Sequence, residues 1–338
     1  MRTVAVKEMN QMNIVMTSIF KPTQAVVDFS LKQRFNLVVV GDKKTPNGWS
    51  LRGAEYLSIG WQEDCGYHIA KHVPFNHYSR KMFGYIYSIR NGANIIIDSD
   101  DDNIPYDDWS IPDFAGQYLA TKENLGFVNV YRYFTDSDIW PRGFPLRMLR
   151  EEGSILDEKE FARNRTKVGI WQGLADIDPD VDAIYRLIIN KPCTFWDREP
   201  IVLGKGTLCP INSQNTAFAK DLFPLLYLPC FVTFRFTDIL RGLVAQPILW
   251  AKGYRVGFSK ASVYQKRNAH DHIKDFESEI PCYLHSEKVV EIVSKVVDEE
   301  MSVADNLLKS YEALSRNGIV TKKEICVVKG WLADLAIE

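Results

Sequence analysis

"NIIIDSDDDNIP", residues 94–105, runs three isoleucines into four aspartates, Asp98, Asp100, Asp101 and Asp102. An apolar run of this kind, closed by polar residues, reads as a buried strand of a largely parallel sheet. Like charges crowded at its end repel one another and hold on to their protons unless a cation is present. Hard divalent cations, Mn²⁺ or Mg²⁺, prefer such oxygen ligands and commonly take one or two protein carboxylates, leaving room for water and substrate phosphate. A solvated acidic loop is the competing explanation, and the strand ahead of it weakens that one.

Outward from this block, MNIVMTSI and NLVVVGD are strands of the same type. Between the second and third strands lies YSRKMFGYIYSIRNGA, where Met82, Tyr85, Ile86 and Ile89 recur at helical spacing before an Asn91-Gly92 stop. Strand, crossover helix, strand makes a right-handed parallel sheet with functional groups at the carboxyl ends of its strands. From about residue 110 to 260 the chain turns to Trp-, Pro- and Gly-rich segments such as IWPRGFPL and GKGTLCPINSQNTAF, expected as loops and short elements forming one wall of a cleft. After about 285, SEKVVEIVSKVV, SVADNLLKSYEAL and TKKEICVVKGWLADL carry apolar residues at i, i+3, i+4 and i+7, the last opened by a Thr321/Glu324 capping box. The expected organisation is a domain over 1–262 with a helical extension over 263–338 packed on it.

With 338 residues, 46% hydrophobic and 25% charged, the chain can bury one large core or two small ones. Net charge is −2 with Lys and Arg spread throughout, which excludes the basic footprint of a nucleic-acid binder. The greasiest window, Leu222 to Phe234, is too short for a membrane span and is broken by Pro224 and Pro229, and the N-terminus carries no secretory stretch. Six cysteines lie scattered without CxxC or CxH spacing, so a reducing, cytoplasmic setting is expected, with the thiols as small apolar core residues. The composition is compatible with a homo-oligomer.

Individual residues carry the chemistry. Asp42 closes VVVGD, where a carboxylate can accept from ribose hydroxyls or a base N–H. Lys43 and Lys44 read as diphosphate ligands or as a solvated turn beside TPNG. Arg80 and Lys81 open the helix leading into the acidic strand and are candidates for phosphate binding. Arg142, in the rigid turn WPRGFPL, suits a sugar or phosphate contact. Asp238, in FRFTDILRG, reads as a general base for an acceptor hydroxyl or as the N-cap of a helix starting at Ile239. Asp176, Asp178, Asp180 and Asp182 read as turn and helix-start carboxylates, with one as an acceptor contact. His68, His72 and His77 sit near a helix and loop; His270 and His272 form an i, i+2 pair that could supply a metal ligand or lie on the surface.

In order, the blocks MTSIFKPT, LVVVGDKKTPNGW, GAEYLS, YSRKMFGYIYSIRNGA, IIDSDDD, IWPRGFPL, CPINSQNTAF and TDILRGLVAQPILW resemble the STELLO family of glycosyltransferase-like proteins over roughly residues 13–260. A weaker resemblance to the reversibly glycosylated polypeptides, or UDP-arabinopyranose mutases, runs through the acidic triplet, RGFPL, KGTLCP and GYRVGFSKAS. The resemblance implies an α/β, GT-A type (Rossmann-like) fold with a mixed central sheet and a C-terminal helical extension. It makes the first half of the domain, about 1–110, nucleotide-binding and its second, about 111–262, the acceptor half. It also implies a metal-dependent transferase using a nucleotide-sugar donor, UDP-linked, and a carbohydrate or glycoconjugate acceptor, with hexosyl or pentosyl transfer. A UDP-sugar mutase or a non-catalytic scaffold of the same fold is the alternative. On this reading the acidic block is a DXD-type site: Asp100, Asp101 and Asp102 hold the metal, Asp98 or Asp42 the ribose and Lys81 the diphosphate. Thr17 falls among the nucleotide contacts and Asp238 on the acceptor side. The membrane anchor and further C-terminal region of the plant members are not expected here. Where both families have a histidine after the last strand, this chain has Ser259 or Tyr264, leaving a histidine ligand open.

Overall fold

The computed structural model describes residues 11–266 and 271–336. The apolar runs of the first third become β1 (Met12–Thr17), β2 (Asn36–Val40) and, after β3 (Ala54–Leu57), β4 (Ile95–Ser99). All four are parallel in the spatial order β3-β2-β1-β4. Both faces of these strands are buried. Val15, Val38 and Val40 point into the larger core, while Ile14, Met16, Leu37 and Val39 point into a second core on the other side, which is why the runs are apolar without alternation.

Helices α1 (Gln24–Ser30), α2 (Ile59–Asp64) and α3 (Lys81–Arg90) connect these strands. Thr23 and Ser58 cap the first two by accepting from the N–H of Val26 and Trp61. The crossover helix α3 lies against the sheet at Gly84, where an added Cβ would sit 2.5 Å from Val15 Cγ1 and 2.8 Å from Val40 Cγ2. Glycine is what lets helix and strands approach this closely.

The middle of the chain is more regular than expected. It holds short pieces, β5 (Asn103–Pro105), β6 (Ala115–Thr121), β7 (Gly126–Phe127) and α4 (Tyr131–Phe134), but also the 16-residue strand β8 (Phe161–Asp176). After α5 (Ala183–Ile188), β9 (Ile201–Val202), β10 (Thr207–Leu208) and β11 (Asn215–Ala219) comes a 15-residue buried helix, α6 (Thr237–Ala251), then β12 (Arg255–Gln265). The first half of β8 pairs with β6 and is largely exposed, whereas its second half is buried between β11 and β12. That split hides a long strand behind two different patterns. β11 runs antiparallel to β4 and β8, so the ten-stranded sheet is mixed. A mixed central sheet followed by helices is a GT-A-like arrangement.

Helices α7 (His272–Ser294), α8 (Val303–Arg316) and α9 (Lys322–Leu335) follow. α7 starts well before the expected SEKVV segment and carries Pro281 in its interior. Its outer face exposes Ile273, Phe276, Ile280 and Leu284, so apolar residues on both sides blur the helical period. The expected capping box is not formed: Thr321 makes no side-chain cap. Glu324 is instead fully buried and accepts from the Tyr227 hydroxyl and from the N–H of Cys230 and Phe231, both at 2.8 Å. All six cysteines are free; Cys326 is exposed, not a core residue. No helix among the described residues is long and apolar enough to cross a membrane.

Candidate functional site

The order β3-β2-β1-β4 makes a topological switch point between β1 and β4, because the chain leaves β1 in one direction and returns on its other side. Ligands of open α/β sheets bind in the crevice outside the strand ends at such a point. A cavity of about 460 Å³ opens there. One wall comes from the strand ends and the loops after them: Thr17, Ser18, Asp42, Lys44, His77, Tyr78, Asp100, Asp101 and Asp102. The facing wall holds Arg142, Asp180, Asn212, Gln214, Phe234, Arg235, Asp238 and Gln265.

The acidic block is divided by depth. Asp98 is fully buried behind the cavity, where Lys81 Nζ lies 2.5 Å from its Oδ1 and Arg241 Nη1 lies 2.6 Å from its Oδ2. The Lys81 ammonium also bridges to Asp100 Oδ1 at 2.9 Å, and the Tyr78 hydroxyl donates to the same oxygen at 2.6 Å. Burial opposes the charge on Lys81, but the Asp100 and Asp98 carboxylates outweigh it and hold the ammonium above the ordinary lysine range. Asp101 accepts from Ser18 Oγ at 2.5 Å, and its carbonyl accepts from Thr23 Oγ1, tying the acidic turn to the loop after β1. Burial pushes the Asp101 carboxyl up to about 6 against the lowering effect of the Ser18 bond. Asp102 accepts from Gln265 Nε2 at 2.8 Å.

Several expected ligands are placed elsewhere. Arg80 is buried away from the cavity, donating from Nε to Gln62 Oε1 at 2.7 Å and stacking between Phe75 and Phe83. Lys81 is sealed as a counter-charge with no exposed surface, out of reach of a diphosphate. Asp98 is likewise closed off from a ribose, whereas Asp42 lines the cavity and accepts from the N–H of Lys43 at 2.7 Å and of His77 at 3.2 Å. Lys43 sits over the Phe75 ring, while Lys44 faces the cavity.

Arg142 reaches the cavity but is fully engaged. Nε and Nη2 donate to Asp180 at 2.9 and 2.8 Å, Nη1 and Nη2 donate to Asp238 at 3.0 Å each, and Nη1 also donates to the Arg235 carbonyl. A guanidinium has five N–H groups, and these contacts use all of them. None is left for a phosphate. Burial opposes the guanidinium charge, but the two carboxylates hold its proton well above the ordinary range. The tight turn carrying Arg142 depends on Gly143, at φ 86°, where a Cβ would meet Ile239 Cγ2 at 2.5 Å.

Asp238 lies in the first turn of α6, which begins at Thr237 with Phe236 at the cap, so it is not the N-cap. Of the acidic run after β8, Asp180 faces the cavity, Asp182 caps α5 through the Tyr185 N–H, Asp178 pairs with Arg186, and Asp176 accepts from Tyr106 and Phe195. His270 lies outside the described residues. His272 starts α7 with Nδ1 3.8 Å from Asp275, His68 binds Asp334 on α9, and Tyr264 packs on Tyr106. Among the described residues, no three His, Cys, Asp or Glu side chains already converge as a metal cage.

Sequence reasoning missed Ser18, Tyr78, Gln214, Phe234 and Gln265, and named His77 without giving it a place in the site. His77 and Tyr78 immediately precede the crossover helix, a signal that was available; Gln265 carried none, since it meets Asp102 from 163 residues away.

A family model described as STELLO glycosyltransferases matches residues 235–337. That span includes Asp238, Arg241, Gln265 and the C-terminal helices but none of the strand-end aspartates. Over 338 residues the chain is 26% identical to the probable glycosyltransferase STELLO1 of Arabidopsis thaliana, covering 93% of this chain and 43% of that protein. It is 27% identical over 344 residues to STELLO2 of the same plant, covering 95% and 44%. A more distant similarity, 23% over 206 residues, is to the probable inactive UDP-arabinopyranose mutase 2 of Oryza sativa subspecies japonica, covering 58% of this chain and 55% of that protein. The chain thus spans less than half the length of the two STELLO relatives.

Proposed function

We propose that this chain is a glycosyltransferase that takes a sugar from a nucleoside-diphosphate donor, UDP-linked, and passes it to a hydroxyl of a glycan acceptor. The observation that carries the reading is the convergence of Asp100, Asp101 and Asp102 with Thr17, Ser18 and Asp42 at the switch point, in one cavity facing Asp238. Its volume suits a nucleotide-sized ligand. The similarity to glycosyltransferases supports the same reaction class.

The donor set at Asp100, Asp101 and Asp102 is all carboxylate oxygen, which fits Mn²⁺ or Mg²⁺ completed by water and phosphate better than an all-protein cage. Bound there, the cation would neutralise the leaving diphosphate. Thr17, Ser18 and Asp42 offer hydroxyl and carboxylate partners to the nucleoside, and Lys44 is the cavity-facing ammonium beside them. Asp238 is held in a fixed orientation by Arg142 and the Ser213 N–H, which both donate to Oδ2, while Oδ1 accepts from Arg142 and keeps a second lone-pair direction for an acceptor hydroxyl. As the new bond from that oxygen to the anomeric carbon forms, the bond to phosphate breaks toward the diphosphate, and the hydroxyl proton passes to the carboxylate.

Calorimetric titration with UDP and Mn²⁺ tests the donor site: metal-dependent binding is expected, lost in the double variant Asp100→Ala, Asp102→Ala. Absence of such binding in the unaltered chain would refute the reading. A panel of UDP-sugars with glycan acceptors should then release net UDP. Conversion of a UDP-sugar to its isomer without UDP release would instead support a mutase, the second reading favoured by the rice relative. Nucleotide binding with neither outcome would leave a binding protein.

A further inference from the structure

We propose that Tyr78 determines which cation the acidic turn accepts: together with Lys81 it closes one oxygen of Asp100 and leaves a divalent cation the other oxygen alone. The inference rests on the transferase reading and adds the selectivity of its cation site. Tyr78 acts through Asp100 and is a positioning residue.

Asp100 Oδ1 accepts twice, from the Tyr78 hydroxyl at 2.6 Å and from Lys81 Nζ at 2.9 Å. Lys81 Nζ also donates to the Tyr78 oxygen at 2.8 Å. The direction of these bonds follows from their chemistry. An ammonium only donates and a carboxylate only accepts, so the single hydroxyl proton of Tyr78 goes to Asp100. A carboxylate oxygen has two lone-pair directions, and both of those on Oδ1 are taken. Oδ2 takes no hydrogen bond among the described residues, and Asp100 lines the cavity with 29% of its side chain exposed.

The arrangement is fixed from the core outward. Lys81 has no exposed surface and is held from behind by Asp98, 2.5 Å away, which Arg241 of α6 holds in turn at 2.6 Å. Tyr78 stands in the 3₁₀ turn Tyr78–Arg80 that runs into α3, a turn capped by His77, and its ring meets that of Phe234 at 5.8 Å between centroids. Turning Asp100 to offer both oxygens therefore breaks two charge-assisted hydrogen bonds. Ca²⁺ takes about 6–8 oxygen ligands in flexible geometry, often with both oxygens of one carboxylate, whereas Mg²⁺ demands a small octahedron. A carboxylate confined to one oxygen suits the octahedron and handicaps Ca²⁺.

The test uses the full chain with UDP, titrated calorimetrically with Mg²⁺ and with Ca²⁺, beside Tyr78→Phe, which keeps the ring and removes the hydroxyl. The ratio of Mg²⁺ to Ca²⁺ affinity should fall about tenfold in Tyr78→Phe, the scale of one hydrogen bond to a charged group. Lost packing alone would lower both affinities and leave the ratio where it was. A second variant decides the question even where Tyr78→Phe does not fold. In Asp100→Asn the amide has one oxygen, which Tyr78 and Lys81 take, turning the NH₂ toward the cation, so this variant should bind Mg²⁺ no better than Asp100→Ala. An unchanged ratio, or Mg²⁺ bound about tenfold tighter by Asp100→Asn than by Asp100→Ala, would each overturn the proposal. Mn²⁺-dependent UDP binding by the unaltered chain, read alongside, separates the two failures: if it is present, this inference alone falls, and if it is absent, the transferase reading falls with it.

Discussion

At 2.5 Å from Asp98 and 2.9 Å from Asp100, Lys81 is the clearest case of a residue whose sequence position suggested one role and whose burial gives it another. Replacing it with Met leaves two carboxylates short of a counter-charge in a buried site, and removing one partner of such a pair costs about 3–5 kcal/mol. Lys81→Met is expected to lose stability on that order in urea denaturation; a loss below about 1 kcal/mol together with selective loss of UDP binding would restore the ligand role. Asp182 makes a prediction about pH. Burial raises its carboxyl to about 6, the bonds from Tyr185 and Trp140 hold it down in part, and Glu279 adds to the rise. The folded state therefore binds this proton more tightly than the unfolded chain, so the residue's contribution is fully present below about pH 4 and is lost as pH rises toward 6. Relative to Asp182→Asn, the unaltered chain should lose on the order of 2–3 kcal/mol across that window. Denaturation curves at pH 4 to 7 measure it, and a difference that does not vary with pH rules it out.

Among the elements, α9 shows how a local pattern can be right about type and wrong about purpose. The Thr-x-x-Glu signature does mark the start of a helix, yet Glu324 serves the 227–231 loop and not its own N-terminus. Truncating it leaves the buried Cys230 N–H and Tyr227 hydroxyl without their acceptor, each costing about 1–3 kcal/mol, while the Phe231 N–H, on an exposed residue, can turn to water. Glu324→Ala is thus expected to destabilise by roughly 2–6 kcal/mol in chemical denaturation, where a surface capping box would cost about 1. For α3, Gly84→Ala should push helix and sheet apart at Val15 and Val40 and cost about 1–3 kcal/mol, as other overpacked sites do.

For the whole molecule, one apolar core joins Ile86 of α3, Leu243 of α6, Tyr311 of α8 and Trp331 of α9. Three buried carboxylates on the C-terminal helices reinforce it by accepting backbone N–H groups from the rest of the chain. Glu279 takes that of Ala183, Glu324 those of Cys230 and Phe231, and Asp334 those of His68 and Ile69. A chain cut after residue 266 exposes that core and orphans those donors, so it is expected to be insoluble or to lack a cooperative thermal transition. A soluble fragment with a sharp transition would show instead that the helices are an independent layer.

The sequence alone determined the parallel strands, the crossover helix and the crowding of carboxylates at a strand end, because each is written in the period and identity of neighbouring residues. It also set Asp42 and Asp100 to Asp102 at strand ends, while Thr17 entered only through the family resemblance. Only the tertiary structure decided which charges face the cavity. Lys81 and Arg241 cancel Asp98 from opposite sides, and Arg142 is consumed by Asp180 and Asp238, 38 and 96 residues away. Charge pairing and burial are properties of contacts between distant segments, and no local pattern along the chain records them.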